Sequence, residues 1–350
     1  MAPSASGPSN TKTAHAFNKL LKSASTSTIS RAASRLTRDV EENVKKLASL
    51  ILIDGIPFEV DSTLRPRIWK ILLQVNDVNT ESYLHWVSRG PCEVRDKIRN
   101  DTFRTLATDL AFKSRVREDM LVRLLDAFVW RHSSSPHSPS SPLSPFPRSP
   151  PNSPRRSPFN MSPRSPDSSA SSSSLPFTYV QGMNVLAAPF LYIMPTELEA
   201  FFAFCKFIEV ECPLYVQPTL EGVHRGLKLL DRSLKLLDPE LFAHLRSKNL
   251  SAEIYAFPSV LTLCACTPPL DQVLRLWDFL LAFGVHLNIL CVIAQLLLIR
   301  DEIMASSSPM KILRTFPPLD AQPIIAIAVT LVRDLPPDLY KELVKHPRIR

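Results

Sequence analysis

Arg104 and Gln181 are the two residues of this chain whose types and surroundings are suited to catalysis. Arg104 lies in the segment IRNDTFRT and Gln181 in YVQGMN, 77 positions later, and each lies beside a predicted helix start. An arginine offers five fixed N–H donors that can neutralise developing negative charge, and a glutamine can both donate to and accept from a water molecule. Hydrolysis of GTP needs both kinds of group, one for the phosphate charge and one for the attacking water.

The glycine content indicates that any nucleotide belongs to another molecule. Only seven glycines occur in 350 residues, and neither G-x-x-x-x-G-K nor G-x-G-x-x-G is present. Those are the loops that cradle phosphates in proteins that bind nucleotides. The histidines have no cysteine or carboxylate at ligand spacing, so we predict no metal site. We therefore predict no cofactor for this chain and a partner that brings the nucleotide.

The charge distribution argues against nucleic-acid binding. The net charge is +8, but residues 1 to 50 hold eight Lys/Arg against three Asp/Glu, and residues 133 to 174 hold four against one. The remainder is neutral, so no basic groove for a duplex is expected on the folded body.

The longest apolar stretch, Leu287 to Ile299, has 13 residues, too few for a membrane span. The six cysteines form no C-x-x-C pair and lie mostly among apolar residues, which favours reduced, buried thiols in a cytoplasmic protein.

Apolar periodicity predicts an all-α protein. We find no alternating strand pattern and no repeat of constant length. Strongly apolar segments run from Met120 to Trp130 and from Val185 to Met194. The other predicted helices are Arg38 to Leu52, Leu64 to Val75, Glu197 to Glu209, Leu220 to Leu237, Pro239 to Arg246, Ala252 to Cys264, Leu270 to Phe283, Leu287 to Ala305, Ser308 to Thr315 and Gln322 to Asp334.

Two segments are predicted to be disordered, and they divide the chain. Residues 1 to 30 form a basic tail, rich in Ser, Thr and Ala. Residues 133 to 174 contain 18 Ser and 11 Pro, a composition that cannot bury enough apolar surface to offset its ordering entropy. This insert separates the two parts of one helical domain, residues 31 to 132 and 175 to 335, and residues 336 to 350 form a C-terminal tail.

The Ser/Pro insert carries nine Ser-Pro dipeptides. Ser153 is followed by Pro154 and, at the third position, by Arg156, the pattern that cyclin-dependent kinases favour. Phosphorylation would add about −1.5 to −2 charge to a basic segment at each site. A regulatory insert and a simple solvated spacer are both consistent with this composition.

Four motifs, in order, resemble those of the TBC domain of GTPase-activating proteins for Rab-type and related small GTPases. The resemblance covers about residues 47 to 320 without the insert, and it implies an irregular multi-helix TBC fold. The motifs are Gly55-Ile56-Pro57 followed by Arg65-x-x-x-Trp69, Ile98-x-x-Asp101-x-x-Arg104, Tyr179-x-Gln181, and Arg275-Leu276-Trp277-Asp278.

The resemblance implies catalysis in trans, with Arg104 as an arginine finger and Gln181 as a glutamine finger. Such a protein is a GTPase activator, not an enzyme with its own substrate site, and GTP and Mg²⁺ belong to the partner GTPase. Unaided, an arginine near a helix start indicates only a surface ion pair. Asp101 lies one turn before Arg104, where its carboxylate either orients the guanidinium or caps the helix.

The remaining motif residues are assigned supporting roles. Gly182 lets a partner's backbone approach Gln181, although a turn glutamine facing solvent is the alternative for that loop. Tyr179 and Asn184 are expected to hold the loop in place. Arg65 and Trp69, four residues apart on one helix, are expected to anchor the opening segment.

Within the family, the segment from LEGVHRGLKLLD onward closely resembles the fungal members that act in the spindle-position checkpoint. That similarity implies a Ras/Rab-like GTPase as substrate, a separate scaffold protein as partner in a two-component activator, and a place at the spindle pole body in controlling mitotic exit or septation. The alternative is a TBC domain that binds a GTPase as a non-catalytic scaffold or effector. The presence of both finger residues favours the catalytic reading.

Overall fold

The computed structural model describes residues 8–26, 33–133 and 177–349, and within these ranges every regular element is helical. Before residue 134 the helices are α1 (Pro8–Thr26), α2 (Ala33–Asp54), α3 (Leu64–Leu72), α4 (Thr80–Ser88), α5 (Arg95–Thr102), α6 (Leu110–Arg115) and α7 (Glu118–Ser133). After residue 176 they are α8 (Met183–Ile193), α9 (Glu197–Lys206), α10 (Glu221–Leu237), α11 (Pro239–Ser247), α12 (Ala252–Tyr255), α13 (Phe257–Leu261), α14 (Leu270–Phe283), α15 (Asn288–Leu298), α16 (Arg300–Ala305), α17 (Pro309–Arg314), α18 (Ala321–Asp334) and α19 (Pro337–Lys345). The all-α prediction is confirmed.

Several helices begin where a polar side chain caps the first turn. Asn79 accepts a hydrogen bond from the Ser82 amide at the start of α4, and Asp109 accepts one from Phe112 at the start of α6. Thr196 has the same role for α9. Such caps satisfy amides that have no partner within the helix, so they fix where each helix begins. For α6 the cap also ends the loop that carries Arg104.

Two predicted helices are each divided in the structure. The segment Ala252 to Cys264 forms α12 and α13, because Pro258 lies in the first turn of α13 and has no amide hydrogen to continue the preceding helix. Leu263 and Cys264 then adopt left-handed backbone angles, with φ of 51° and 61°, which ends α13. The segment predicted from Leu287 to Ala305 is likewise divided into α15 and α16.

The N-terminal region differs from the predicted mobile tail. Residues Pro8–Thr26 form α1, whose Ala14, Phe17 and Leu21 are buried in a small core shared with α2 and α3. Asn18 of α1 accepts a hydrogen bond from Arg67 at 2.8 Å. The three apolar residues recur at helical spacing and form one face of the helix. The average composition of the segment is polar, so it does not reveal this apolar face. The expectation is wrong for Pro8–Thr26, and residues 1–7 and 27–32 lie outside the described residues.

The predicted C-terminal tail is also structured. Residues Pro337–Lys345 form α19, with Leu339 and Leu343 buried against the main core. His346 follows the helix and is fully buried, and its Nε2 lies 2.9 Å from the Tyr215 hydroxyl. The helical domain therefore extends beyond residue 335 to the last described residues.

The two parts of the chain on either side of residues 134–176 share one core. Phe128 of α7 packs edge-on against Phe204 of α9, with ring centroids 5.3 Å apart. Phe177, the first described residue after the gap, packs against the rings of Phe128 and His132. The predicted insert of residues 133–174 lies outside the described residues, apart from Ser133 at the end of α7. No described helix is both long and apolar enough to cross a membrane.

Candidate functional site

Arg104 lies in the loop of residues 103–109 between α5 and α6, which we call the Arg104 loop. Its Nη2 donates a hydrogen bond of 2.6 Å to Oδ1 of Asp101, which lies in the last turn of α5. The Arg104 side chain is 58% exposed, whereas that of Asp101 is 7% exposed. The ion pair therefore joins a buried anchor to a cation that still faces solvent. Leu106, two residues on, has a left-handed backbone with φ of 45°.

Gln181 lies in the loop of residues 177–182 before α8, which we call the Gln181 loop, and its side chain is exposed. Gly182 follows with φ of 103°, a region that residues with a side chain rarely adopt. A Cβ at this position would lie 2.9 Å from Cδ2 of Leu261 in α13. The backbone angle therefore strongly favours glycine here, a side chain would also displace the end of Leu261, and the turn that glycine permits sets the direction from which Gln181 leaves the backbone.

Buried hydrogen bonds join the two loops, although 79 positions separate Thr105 from Asn184. The Tyr179 hydroxyl donates to Oδ2 of Asp101 at 2.8 Å. The Asn184 amide nitrogen donates to Oγ1 of Thr105 at 2.8 Å and to the Asp101 carbonyl at 3.2 Å. The Asn184 amide oxygen accepts from the Gly182 amide at 3.2 Å. We call these five residues, Asp101, Thr105, Tyr179, Gly182 and Asn184, the finger network. It holds the Arg104 loop and the Gln181 loop relative to one buried carboxylate.

The protonation of Tyr179 is set by its surroundings. Burial raises the pKa of the Tyr179 hydroxyl well above its usual range, and the hydrogen bond to Asp101 raises that pKa further. The hydroxyl therefore keeps its proton across the physiological range and remains a donor to Asp101. This donation leaves the other carboxylate oxygen of Asp101 for Arg104.

Both finger residues line one groove with a volume of about 790 Å³. The Arg104 loop and the Gln181 loop contribute part of its lining, and α13 with the turn after it contributes another part. The lining is mostly apolar. The part from α13 and the turn after it, which we call the far wall for its distance along the chain, includes Phe257, Pro258, Leu261, Thr262, Ala265 and Cys266. A groove of this size, with a cation and an amide on one wall, can receive a loop of another protein together with a phosphate group.

Arg65 and Trp69 lie outside this groove lining and pair with the last of the four motifs. Arg65 Nε lies 3.1 Å from both carboxylate oxygens of Asp278, and Trp69 Nε1 donates to Oδ1 at 2.7 Å. The Trp69 and Trp277 rings stack, with centroids 6.0 Å apart. Burial raises the pKa of Asp278, and its contacts with Arg65 and Trp69 oppose that shift by stabilising the carboxylate. These residues hold α3 against α14 within the fold.

The sequence pattern did not indicate Thr105 or the far wall of the groove. Thr105 is 6% exposed and takes part in the finger network, but a threonine beside a motif arginine has no distinctive spacing. The far wall comes from α13, about 80 positions after Gln181, and only folding brings the two together.

The predicted phosphorylation site, Ser153, lies outside the described residues. No group of three or more metal-ligating side chains occurs in the part of the chain that the structure describes.

A profile of the Rab-GTPase-TBC domain family matches residues 171–304. That match contains Gln181 and the far wall of the groove, and Arg104 lies before it. Similarity to individual proteins extends over more of the chain and includes the Arg104 loop.

Three relatives are similar over most of their lengths. Cell division control protein 16 of Schizosaccharomyces pombe is 41% identical over 305 residues, which is 87% of this chain and 88% of that protein. Mitotic check point protein BUB2 of Saccharomyces cerevisiae is 38% identical, covering 88% of this chain and 92% of the relative. A putative mitotic check point protein BUB2 of Dictyostelium discoideum is 35% identical, covering 88% and 76%.

The fold is shared with a solved GTPase-activating domain. The crystal structure of the Ypt/Rab-GAP domain of Gyp1p superposes with a TM-score of 0.64 at 17% identity, covering 95% of this chain and 99% of that one. A Chlamydomonas flagellar RabGAP TBC domain superposes with a TM-score of 0.54 at 16% identity, covering 99% and 98%. At such low identity the superpositions show the common TBC fold and nothing about partners.

Proposed function

Since this chain belongs to the Rab-GTPase-TBC domain family, we propose that it activates GTP hydrolysis by a small GTPase of the Ras/Rab type, supplying Arg104 and Gln181 in trans. The observation that carries the proposal is that both residues line one groove and that one buried carboxylate, Asp101, binds Arg104 directly and the Gln181 loop through Tyr179. A domain that serves only as a scaffold has no chemical need for that arrangement.

Arg104 supplies positive charge. Its contact with Asp101 uses one N–H of Nη2, and the guanidinium has further donors for oxygens between the β- and γ-phosphates. Asp101 is buried, so it restricts the rotamers of Arg104 while the charged end stays in the groove. Preorganised donors of this kind stabilise the charge that develops in phosphoryl transfer.

Gln181 positions water. Its amide can accept a hydrogen bond from the attacking water and donate one to a phosphate oxygen or to the partner's backbone. The turn at Gly182 and the Asn184 contact hold the backbone of this loop, so the point from which the Gln181 side chain reaches the reacting centre is fixed. The partner brings GTP and Mg²⁺, and this chain needs no cofactor of its own.

The names of the relatives support a proposal about the cellular role. Their names place them in cell division control and in a mitotic checkpoint, so we propose that this chain restrains mitotic exit or septation by keeping a GTPase in its GDP form. A scaffold protein as second component, a location in the cytoplasm and at the spindle pole body, and a cyclin-dependent kinase acting on Ser153 belong to the same proposal.

Single-turnover GTP hydrolysis by the purified GTPase tests the mechanism. We expect Arg104→Ala to reduce the stimulated rate by about 10³- to 10⁵-fold, because it removes the charge that stabilises the transition state. Gln181→Ala should also lose most of the stimulation. Arg99→Ala is the matched control, since Arg99 is an exposed arginine on α5 that lies outside the groove lining.

The same assay separates the catalytic role from binding alone. If both finger variants stimulate hydrolysis as well as the wild type, the dual-finger mechanism is wrong. If the wild-type chain binds the GTP-loaded GTPase without accelerating hydrolysis, with and without the scaffold that co-purifies with it, the chain is a scaffold or effector. Candidate GTPases are supplied by affinity purification and mass spectrometry.

A further inference from the structure

Thr105 occupies a central position in the finger network, directly after Arg104. Its hydroxyl donates a hydrogen bond to the Asp101 carbonyl at 3.1 Å and accepts one from the Asn184 amide nitrogen at 2.8 Å. The side chain is buried, so water does not replace these partners at low cost. The hydroxyl therefore connects the end of α5 to the start of α8.

The Asn184 side chain completes the connection to Gln181. Its amide oxygen accepts from the Gly182 amide at 3.2 Å, while its amide nitrogen faces the two acceptors on the Arg104 side. The Tyr179 hydroxyl also lies 3.4 Å from this oxygen, but its single proton is used in the shorter bond to Asp101. Only one orientation of the amide satisfies all these groups. The link from Thr105 to the Gln181 loop is thus directional and fixed.

We propose that Thr105 is a positioning residue that sets the separation of the two finger residues. It does so through Asn184, because its hydroxyl is already used by the Asp101 carbonyl and the Asn184 amide. Arg104 precedes it in the chain, and the Gly182 amide that Asn184 holds follows Gln181. The inference rests on the function proposed above, because the separation of the fingers matters only if both act on one phosphate.

The geometry accounts for why a hydroxyl is required. A valine at position 105 keeps the volume of threonine but loses the acceptor for Asn184 and the donor for Asp101. The Asn184 amide nitrogen would keep only its longer bond to the Asp101 carbonyl. The two loops would then be joined mainly by Tyr179 and Asp101, and Gln181 would move relative to Arg104. Displacements near 1 Å in catalytic geometry are enough to lower rates by about 10²-fold.

The test compares Thr105→Val with Thr105→Ser, which restores the hydroxyl. In multiple-turnover assays, the concentration of the GTP-loaded GTPase is raised until the rate saturates. We expect Thr105→Val to lower kcat on the order of 10- to 100-fold while KM for the GTPase changes little. Binding of the GTPase carrying GDP and aluminium fluoride should weaken by a similar factor, since that complex needs both fingers in place. Thr105→Ser should recover most of the activity.

Thr102→Val is the matched control. Thr102 is as buried as Thr105 and lies three residues earlier, at the end of α5, but its hydroxyl donates only to the Arg99 carbonyl within that helix. Equal kcat losses in Thr102→Val and Thr105→Val would overturn the proposal, because both would then reflect general destabilisation of α5. A thermal unfolding midpoint is measured for each variant, and Thr105→Ala replaces Thr105→Val if the latter does not fold.

A double-mutant cycle tests the path through Asn184. If Thr105 acts through Asn184, the variant carrying Thr105→Val and Asn184→Ala should lose little more kcat than Asn184→Ala alone. Fully additive losses would overturn the proposal. A wild-type rate retained by Thr105→Val, with Arg104→Ala inactive, would also overturn it and leave the proposed function standing. A wild-type rate in Arg104→Ala and Gln181→Ala would overturn the proposed function itself.

Discussion

Asp101 is the residue on which both finger loops depend. One of its carboxylate oxygens accepts from Arg104 and the other from Tyr179, so a single buried group sets the direction of two loops. A carboxylate suits this position because it has two oxygens, accepts several hydrogen bonds and carries the charge that Arg104 requires. The sequence indicated the contact with Arg104 from the spacing of three residues. It gave no sign of the contact with Tyr179, which folding alone creates.

Cys266 lies on the far wall of the groove and is the exposed member of the six cysteines. The other five are buried, and burial raises their pKa, to about 12 for Cys92 and Cys264. Because the thiolate is the reactive form, a maleimide should react with Cys266 in the folded protein before the others. We predict that the GTPase carrying GDP and aluminium fluoride slows this reaction several-fold, measured by mass spectrometry of the intact chain.

Two variants serve as controls for that measurement. Cys266→Ser should remove the fast reaction, which assigns it to this thiol. Arg104→Ala should weaken the protection, because it weakens the complex and leaves Cys266 in place. An unchanged rate of modification in the presence of a bound GTPase would show that the partner does not cover the far wall of the groove.

At the scale of elements, the bounds of a helix are predicted accurately from the sequence where its apolar periodicity is uninterrupted. α14 has the predicted bounds, Leu270–Phe283, and α10 begins one residue after its predicted start. The prediction is poorer where backbone conformation departs from the pattern, as at Leu263 and Cys264, whose left-handed angles depend on the packing around them. The motif residues were located from the sequence, whereas the groove was not. Its two walls are contacts between segments far apart in the chain.

α1 is the element for which the structure differs most from the expectation based on the sequence. Phe17 is 0% exposed and packs in the small core formed with α2 and α3. We predict that Phe17→Ala lowers the free energy of unfolding by about 3 to 5 kcal/mol, because truncating a buried phenylalanine leaves a cavity. Urea unfolding followed by circular dichroism measures this change.

Lys19→Ala provides the comparison for that prediction. Lys19 is an exposed residue of the same helix, and its substitution should change the free energy of unfolding by less than about 0.5 kcal/mol. If Phe17→Ala has as small an effect as Lys19→Ala, α1 does not pack on the domain in solution. The mobile tail expected from composition would then be the better description.

At the scale of the whole molecule, buried polar pairs join segments that are far apart in the sequence. Arg65 near the N-terminus pairs with Asp278 on α14, and Tyr215 pairs with His346 beyond α19. Each pair joins positions more than 100 residues apart. Burying a polar group is favourable only when its partner is present, so these pairs require the correct arrangement of several helices at once. The protonation of such groups therefore affects the stability of the entire domain.

The buried histidines predict a loss of stability in mild acid. Burial lowers the pKa of His346 to about 3 and that of His286 to about 4, and positive charge on Arg225 and Arg348, respectively, adds to these shifts. In the unfolded chain a histidine has a pKa of about 6.5. The unfolded state therefore binds more protons below pH 6.5, so the free energy of unfolding decreases as the pH falls from 6.5 toward 4. At pH 5 each histidine costs about 2 kcal/mol relative to pH 7.

Urea unfolding at pH 7 and pH 5 measures this loss, and substitutions assign it. His346→Gln removes one titrating group, so the difference between the two pH values should shrink by about 2 kcal/mol even if the variant is less stable at pH 7. His85→Gln is the control, since His85 is solvent-exposed on α4. A wild-type pH difference in His346→Gln would mean that this ring takes up its proton in the folded state. Its hydrogen bond with Tyr215 would then have to reverse, because Nδ1 already donates to the Leu343 carbonyl in the neutral ring and a protonated ring donates at Nε2 as well.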